Sequence, residues 1–163
     1  MADTRISGAI AITALSLDRL LVWEALQAAG ATIDSIEGRH LPEGNKSLAG
    51  IGDRVIALVV TDRSRDDRCK IGNKRPAPTI VSVNLSNGLT GETNDRLKEI
   101  GGNNRLESLC DATGLTPLIN LSPGARFVAG TTKSATVEAI VGAAYKHGGI
   151  ACAVEVMRNL SII

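Results

Sequence analysis

The sequence predicts an all-α domain. Three observations carry that reading: apolar residues recur at helical spacing in several separate segments, most of those segments open on a residue suited to helix capping, and several stop at glycine. At 163 residues the chain is most simply one domain, 1–163, long enough for a real core.

The first helix is expected to start at Ser16, whose hydroxyl can accept from the first-turn N–H groups, with Asp18 favourably placed in that turn. Leu17, Leu20, Leu21, Ala25 and Ala28 then repeat at helical spacing, and Gly30 ends it. The apolar run ISGAIAITALSL before it is too short to span a bilayer. It lacks a basic leader and a clear cleavage site, so no signal peptide and no membrane association are expected.

EGRHLPEGN reads as a turn-rich connector. Asn45 is a good N-cap for a helix over 46–62, to which Leu48, Ile51, Val55, Leu58 and Val59 give a broad apolar face. Residues 63–88 read as a long loop, charged at first and then rich in Pro, Asn and Ser, with a short extended piece at TIVSV. Its cations, Arg63, Arg65, Arg68, Lys70, Lys74 and Arg75, face only Asp66 and Asp67 in the same stretch. Such a run is either a solvated loop or a set of phosphate contacts, which need mobile cations and little else.

Two helices are expected near 90–100 and 103–113, capped by Thr90 and by Asn103 or Asn104. GLTPLINLSPG is a connector broken by Pro117, Pro123 and Gly124. A helix over 131–147 turns Val137, Ile140, Val141 and Ala144 inward and stops at HGG, and a final helix over 150–160 closes the domain. No internal repeat or low-complexity tract interrupts this order.

Composition narrows the function classes. A net charge of +1 gives no global pull toward nucleic acid or membrane. With Trp23, Phe127 and Tyr145 the only aromatics, single-strand binding, in which bases stack on aromatic side chains, is disfavoured. Duplex RNA, read by backbone and shape, is not. Cys69, Cys110 and Cys152 are odd in number and widely spaced, as expected of reduced thiols in an intracellular protein, cytoplasmic, nuclear or mitochondrial. His40 and His147 lie too far apart in sequence to suggest a ligand pair.

Two carboxylates stand out. Lys46, Ala49 and Asp53 share one face of the 46–62 helix, and Glu138 sits in a small-residue, apolar helix. One carboxylate on each of two packed helices can hold a divalent metal between them; equally, each can reach solvent or an ion pair, as most helical carboxylates do.

GNKSLAGIGDRVIALVVTD and TKSATVEAIVGAAYKHGG resemble the two signature helices of the ribonuclease III family, in order and in separation. LLVWEALQAAG resembles the family's first helix and GGNNRLESLCDATGLTPLI the segment between the signatures, so the likeness covers the chain except 63–88. The wording is most similar to the single-domain fungal members. The resemblance implies a ribonuclease III-like helical domain, a homodimer, double-stranded RNA as substrate or ligand, and RNA cleavage with two Mg²⁺ ions. Of the family's four metal-holding acids, two fall on Asp53 and Glu138 and two on Ala49 and Ala135. The expectation is therefore weak binding of Mg²⁺ or Mn²⁺ by Asp53 and Glu138, with impaired two-metal cleavage. A non-catalytic scaffold is the alternative. Glu107 and Asp111 are the nearest further acids that could take over a missing position. A bulky family residue that plugs into the partner subunit is replaced by Gly50, which weakens the implied dimer contact.

Overall fold

The computed structural model describes residues 2–33, 35–71 and 91–163. Its elements run α1 (Ala2–Thr13), α2 (Arg19–Ala25), a two-strand hairpin of β1 (Ser35–Ile36) and β2 (Arg39–His40), α3 (Lys46–Ile71), α4 (Gly91–Gly101), α5 (Asn103–Ala112), a 3-10 turn (Thr116–Leu118) and α6 (Gly130–Asn159). The all-α expectation holds, with the hairpin confined to the connector between α2 and α3.

The N-terminal apolar run is a helix in its own right, which the sequence reading left unassigned. Ile6, Ala9 and Thr13 are its buried stripe. Arg5 ties it to the carbonyl of Ile119 at 3.0 Å, and Asn159 closes its far end by donating to the Thr13 carbonyl at 2.7 Å. The cap of α2 is Asp18, not Ser16: its carboxylate accepts from the N–H groups of Leu20 and Leu21. A carboxylate is the stronger acceptor for these N–H groups, and α2 starts at Arg19, two residues later than a Ser16 cap would start it.

The third helix runs past residue 62 to Ile71, so 63–71 is not loop. The arginines and the lysine there are good helix formers, and Asp66 stands four residues before Lys70 in the sequence, the order that supports a helix. Glycine first returns at position 72. The remainder of the expected loop, with the extended piece at TIVSV, the Lys74 and Arg75 positions and the Thr90 cap, lies outside the described residues. The cap of α5 is Gly102 rather than Asn103 or Asn104.

The α6 segment is helical on both sides of a break at Gly148 and Gly149, matching the expected division at HGG. Gly149 has φ 69° and ψ −162°, a conformation essentially restricted to glycine.

The core is a single cluster built around α6. Val137, Ile140, Val141, Ala144, Val156 and Met157 are fully enclosed, with Leu26, Leu48, Ile56, Val60, Leu106 and Leu115 packed around them. Its largest interface is between α3 and α6. Glycine makes that interface close. A Cβ at Gly52 would overlap the Glu138 carbonyl oxygen and sit 2.6 Å from the Glu138 carbonyl carbon. A Cβ at Gly142 would overlap the Leu48 carbonyl oxygen. The two backbones therefore touch where Gly52 meets Glu138 and Gly142 meets Leu48.

Among the described residues the buried side-chain polar atoms are hydrogen-bonded. Asn45 lies at the start of α3, where it was expected as a cap, and its amide donates to the Ala25 carbonyl at 2.8 Å, locking α2 to α3. Gln27 and Asn120 form a parallel backbone bridge and a side-chain bond of 2.7 Å, tying the end of α2 to the connector before α6.

Candidate functional site

The α3–α6 crossing sets the positions of the two singled-out carboxylates. Asp53 follows Gly52 on α3, and Glu138 is the residue whose carbonyl that glycine meets. Glu138 is half-buried, and its carboxyl is pushed up to about 7, first by burial and then by the negative charge of Asp53. Asp53 is exposed and accepts from Arg54 at 2.6 Å. Glu138 thus feels the charge of Asp53 across the crossing, and Arg54 pairs with Asp53 on the outer side.

The two alanines lie along the same helices. Ala49 is core, 6 % exposed, one turn before Asp53. Ala135 is half-buried and packs against the core one turn before Glu138. Neither position carries an acceptor, and among the described residues no cluster of three or more His, Cys, Asp or Glu side chains could hold a metal ion.

Glu107 and Asp111 are engaged elsewhere. Lys133, near the start of α6, donates to Asp111 at 2.7 Å and lies 3.8 Å from Glu107. Thr116 also donates to Asp111 at 2.6 Å. The Lys133 and Thr116 hydrogen bonds hold the Asp111 carboxyl below the usual carboxylate range. Among described residues, Asp53 supplies the charge that acts on Glu138. Cys110 and Cys152 are free thiols, and burial pushes both of them up.

Of the six expected phosphate-contacting cations, Arg63 is half-buried on α3, and Arg65, Arg68 and Lys70 fall on the last turns of the same helix. Lys74 and Arg75 lie outside the described residues. What the residue pattern did not reveal is Arg54, the ion-pair partner of Asp53, and the role of Gly52 and Gly142 in the crossing. The small-residue spacing of Ala135, Ala139, Gly142 and Ala143 was the available signal for a close helix approach.

The raised Glu138 carboxyl has a consequence for stability. The folded protein keeps this proton between about 4.5 and about 7, where the unfolded chain has lost it. Glu138 therefore contributes its stabilisation fully at low pH and loses it as pH rises through about 7. Metal-free protein is expected to melt at a lower temperature at about pH 8 than at about pH 5.5, and Glu138→Gln should flatten that segment of the profile. Parallel profiles for the two proteins would show that the carboxyl titrates normally.

No protein-family model and no curated protein matches the sequence. The fold is similar to the crystal structure of the nuclease domain of ribonuclease III from Campylobacter jejuni, with a TM-score of 0.67 and 15% identity, over 95% of this chain and 92% of that one. Among the described residues no helix is long and apolar enough to cross a membrane. The chain has a ribonuclease III-like, all-α fold, with an acidic pair at the crossing of its two longest helices.

Proposed function

We propose that this chain is a ribonuclease III-like protein that binds double-stranded or structured RNA and cleaves it poorly or not at all. The observation behind the reading is the charge of Asp53 acting on Glu138 across the α3–α6 crossing of this fold, with alanine at positions 49 and 135. The donor set fits one Mg²⁺ and not two. Mg²⁺ is commonly held by one or two carboxylates with waters and substrate phosphate completing the shell. Burial and Asp53 hold a proton on Glu138 near neutrality, and a cation between the two groups would relieve both the repulsion and the desolvation.

When bound, such an ion would polarise a phosphoryl oxygen. Asp53, at the exposed side, would orient it, but must first release Arg54. Glu138 would bind it only after losing its proton, so metal affinity should rise with pH through about 7. Arg54, once released, is exposed and available to a phosphate. The cations Arg63, Arg65, Arg68, Lys70, Lys74 and Arg75 would supply the remaining backbone grip.

The test is binding of a long RNA duplex across a salt series. Affinity should fall steeply with salt, because each neutralised phosphate releases counterions, and replacing Arg65, Arg68 and Lys70 with alanine should flatten the slope by about two to three. An unchanged slope would remove these residues from the interface, and no duplex binding at low salt would refute the RNA reading.

The scaffold reading is favoured by one observation: Ala49 is part of the core rather than a gap in the site. Both readings include a homodimer. Leu58 is 59% exposed and Tyr145 41%, and they border a mostly apolar groove of about 380 Å³ that also takes in Gly50, Ile51 and Val55, with Ser47 and Arg54 in its lining. A second copy would cover this face about a two-fold axis. Light scattering should give twice the 17.0 kDa chain mass, and Leu58→Asp should return it to one chain. A monomer at micromolar concentration for the unaltered protein would rule this out.

A further inference from the structure

The connector before α6 carries a second concavity, on a part of the molecule that the acidic pair does not use. It encloses about 420 Å³ between the end of α2 and residues 121–132. Phe127, the chain's one phenylalanine, stands at its edge 78% exposed. Arg126 beside it is also exposed and also lines the cavity.

The loop is held rather than loose. Ser122, Pro123, Gly124 and Ala125 have the residue pattern of a type II turn, with Gly124 at φ 85° and the Ala125 N–H donating to the Ser122 carbonyl at 3.1 Å. Immediately before it, Asn120 accepts from the Ala28 N–H at 2.9 Å and donates to the Leu26 carbonyl at 2.8 Å. Phe127 is thus presented on a braced segment, with its ring in water.

A lone exposed apolar residue is ordinary. The surroundings of this one are more specific. Beside Leu121 the wall carries the small side chains of Ala28, Ala29, Ala125 and Ala129, which leave room for a flat ring next to Phe127. Ser122 and Thr132 add hydroxyls, and among the described residues the lining contains one cation and no carboxylate. A planar ring, an adjacent sugar and a negative charge match these three features together. We infer that this loop is a stacking site for one nucleotide of unpaired RNA, its base on Phe127 and its phosphate on Arg126.

The inference deepens the RNA reading proposed above: the preferred ligand is a duplex with an unpaired extension. It is also compatible with the scarcity of aromatics, since one stacking position needs one ring. A base stacked on an aromatic side chain changes affinity by about tenfold.

The experiment compares a blunt RNA duplex with the same duplex carrying a short unpaired extension, by fluorescence anisotropy with the full chain. The extended duplex should bind about tenfold more tightly. Phe127→Ala should abolish that gain and leave blunt-duplex binding unchanged, and Arg126→Ala should reduce it. Phe127→Trp should keep the gain, and its emission should be quenched by the extended duplex and by a short unstructured oligouridine. Equal affinity of the unaltered protein for the two duplexes would overturn the inference while leaving duplex binding intact. So would a gain that survives Phe127→Ala. Quenching of the Phe127→Trp protein by oligouridine without any blunt-duplex binding would support the stacking site and refute the duplex reading.

Discussion

Gly52→Ala is expected to lower the melting temperature by on the order of 10 °C or to prevent folding, whereas Gly50→Ala, two residues away on the same helix, should raise it slightly. At Gly52 the new methyl would overlap the Glu138 carbonyl oxygen, which is backbone and cannot swing aside. The helices must part, and every enclosed side chain between α3 and α6 loses contact. Overpacking at a site of this kind costs about 3 kcal/mol or more, and each kcal/mol moves the transition of a domain this size by roughly 2–4 °C. At Gly50 a Cβ meets nothing within 4 Å, so only helix propensity changes, by about 0.5–1 kcal/mol in favour of alanine. Thermal unfolding followed by circular dichroism separates the two. Equal melting temperatures for the two variants would mean that α3 and α6 do not cross at Gly52. The same contact places Asp53 beside Glu138, so the variant is also expected to return the Glu138 carboxyl toward its ordinary range.

What the residues disclosed in advance follows from which signals are local. The break at Gly148 and Gly149 was legible because a left-handed φ is a property of glycine itself. The stripes of α3 and α6 were legible because burial repeats at helical spacing. Helix starts were less so. Ser16 and Asp18 are both good caps, and only the course of the chain between α1 and α2 decides for Asp18. The first helix escaped notice because an apolar run of that length has no distinctive periodicity of its own; it is stabilised by Arg5 and Asn159, whose partners lie more than a hundred residues away. The end of α3 was misread because charge was taken as a sign of loop, although Arg, Lys and Asp at these spacings support a helix. At the site, the positions of Asp53 and Glu138 on two helices could be read from spacing and resemblance. The effect of Asp53 on Glu138 depends on how closely the helices approach, and Gly52 and Gly142 carry that information only when their partners are known.

Duplex RNA should be cut very slowly or not at all by this chain in Mg²⁺, with at most a trace of cleavage in Mn²⁺, which binds oxygen and nitrogen sites somewhat more tightly. Loss of one group that stabilises charge in a transition state commonly lowers the rate by about 10²–10³. On the proposed reading two of the four metal-holding positions, 49 and 135, are alanine, and Asp53 is already bonded to Arg54. The Ala49→Glu, Ala135→Asp double variant should gain both metal affinity and cleavage, at a cost visible without metal. Position 49 is 6% exposed, and a carboxylate there joins Glu138, which already resists ionisation beside Asp53. The double variant is therefore expected to melt below the unaltered chain in chelator and to recover as Mg²⁺ is added, because the cation removes the repulsion among the acids. A melting curve that ignores Mg²⁺ would show that the four positions do not converge. Brisk Mg²⁺-dependent cleavage by the unaltered chain, abolished by Asp53→Ala or Glu138→Ala, would overturn the impaired-cleavage reading. It would also require a third acid to reach the site. Glu107 and Asp111 are the nearest named in the sequence, and both would have to leave Lys133 to do so.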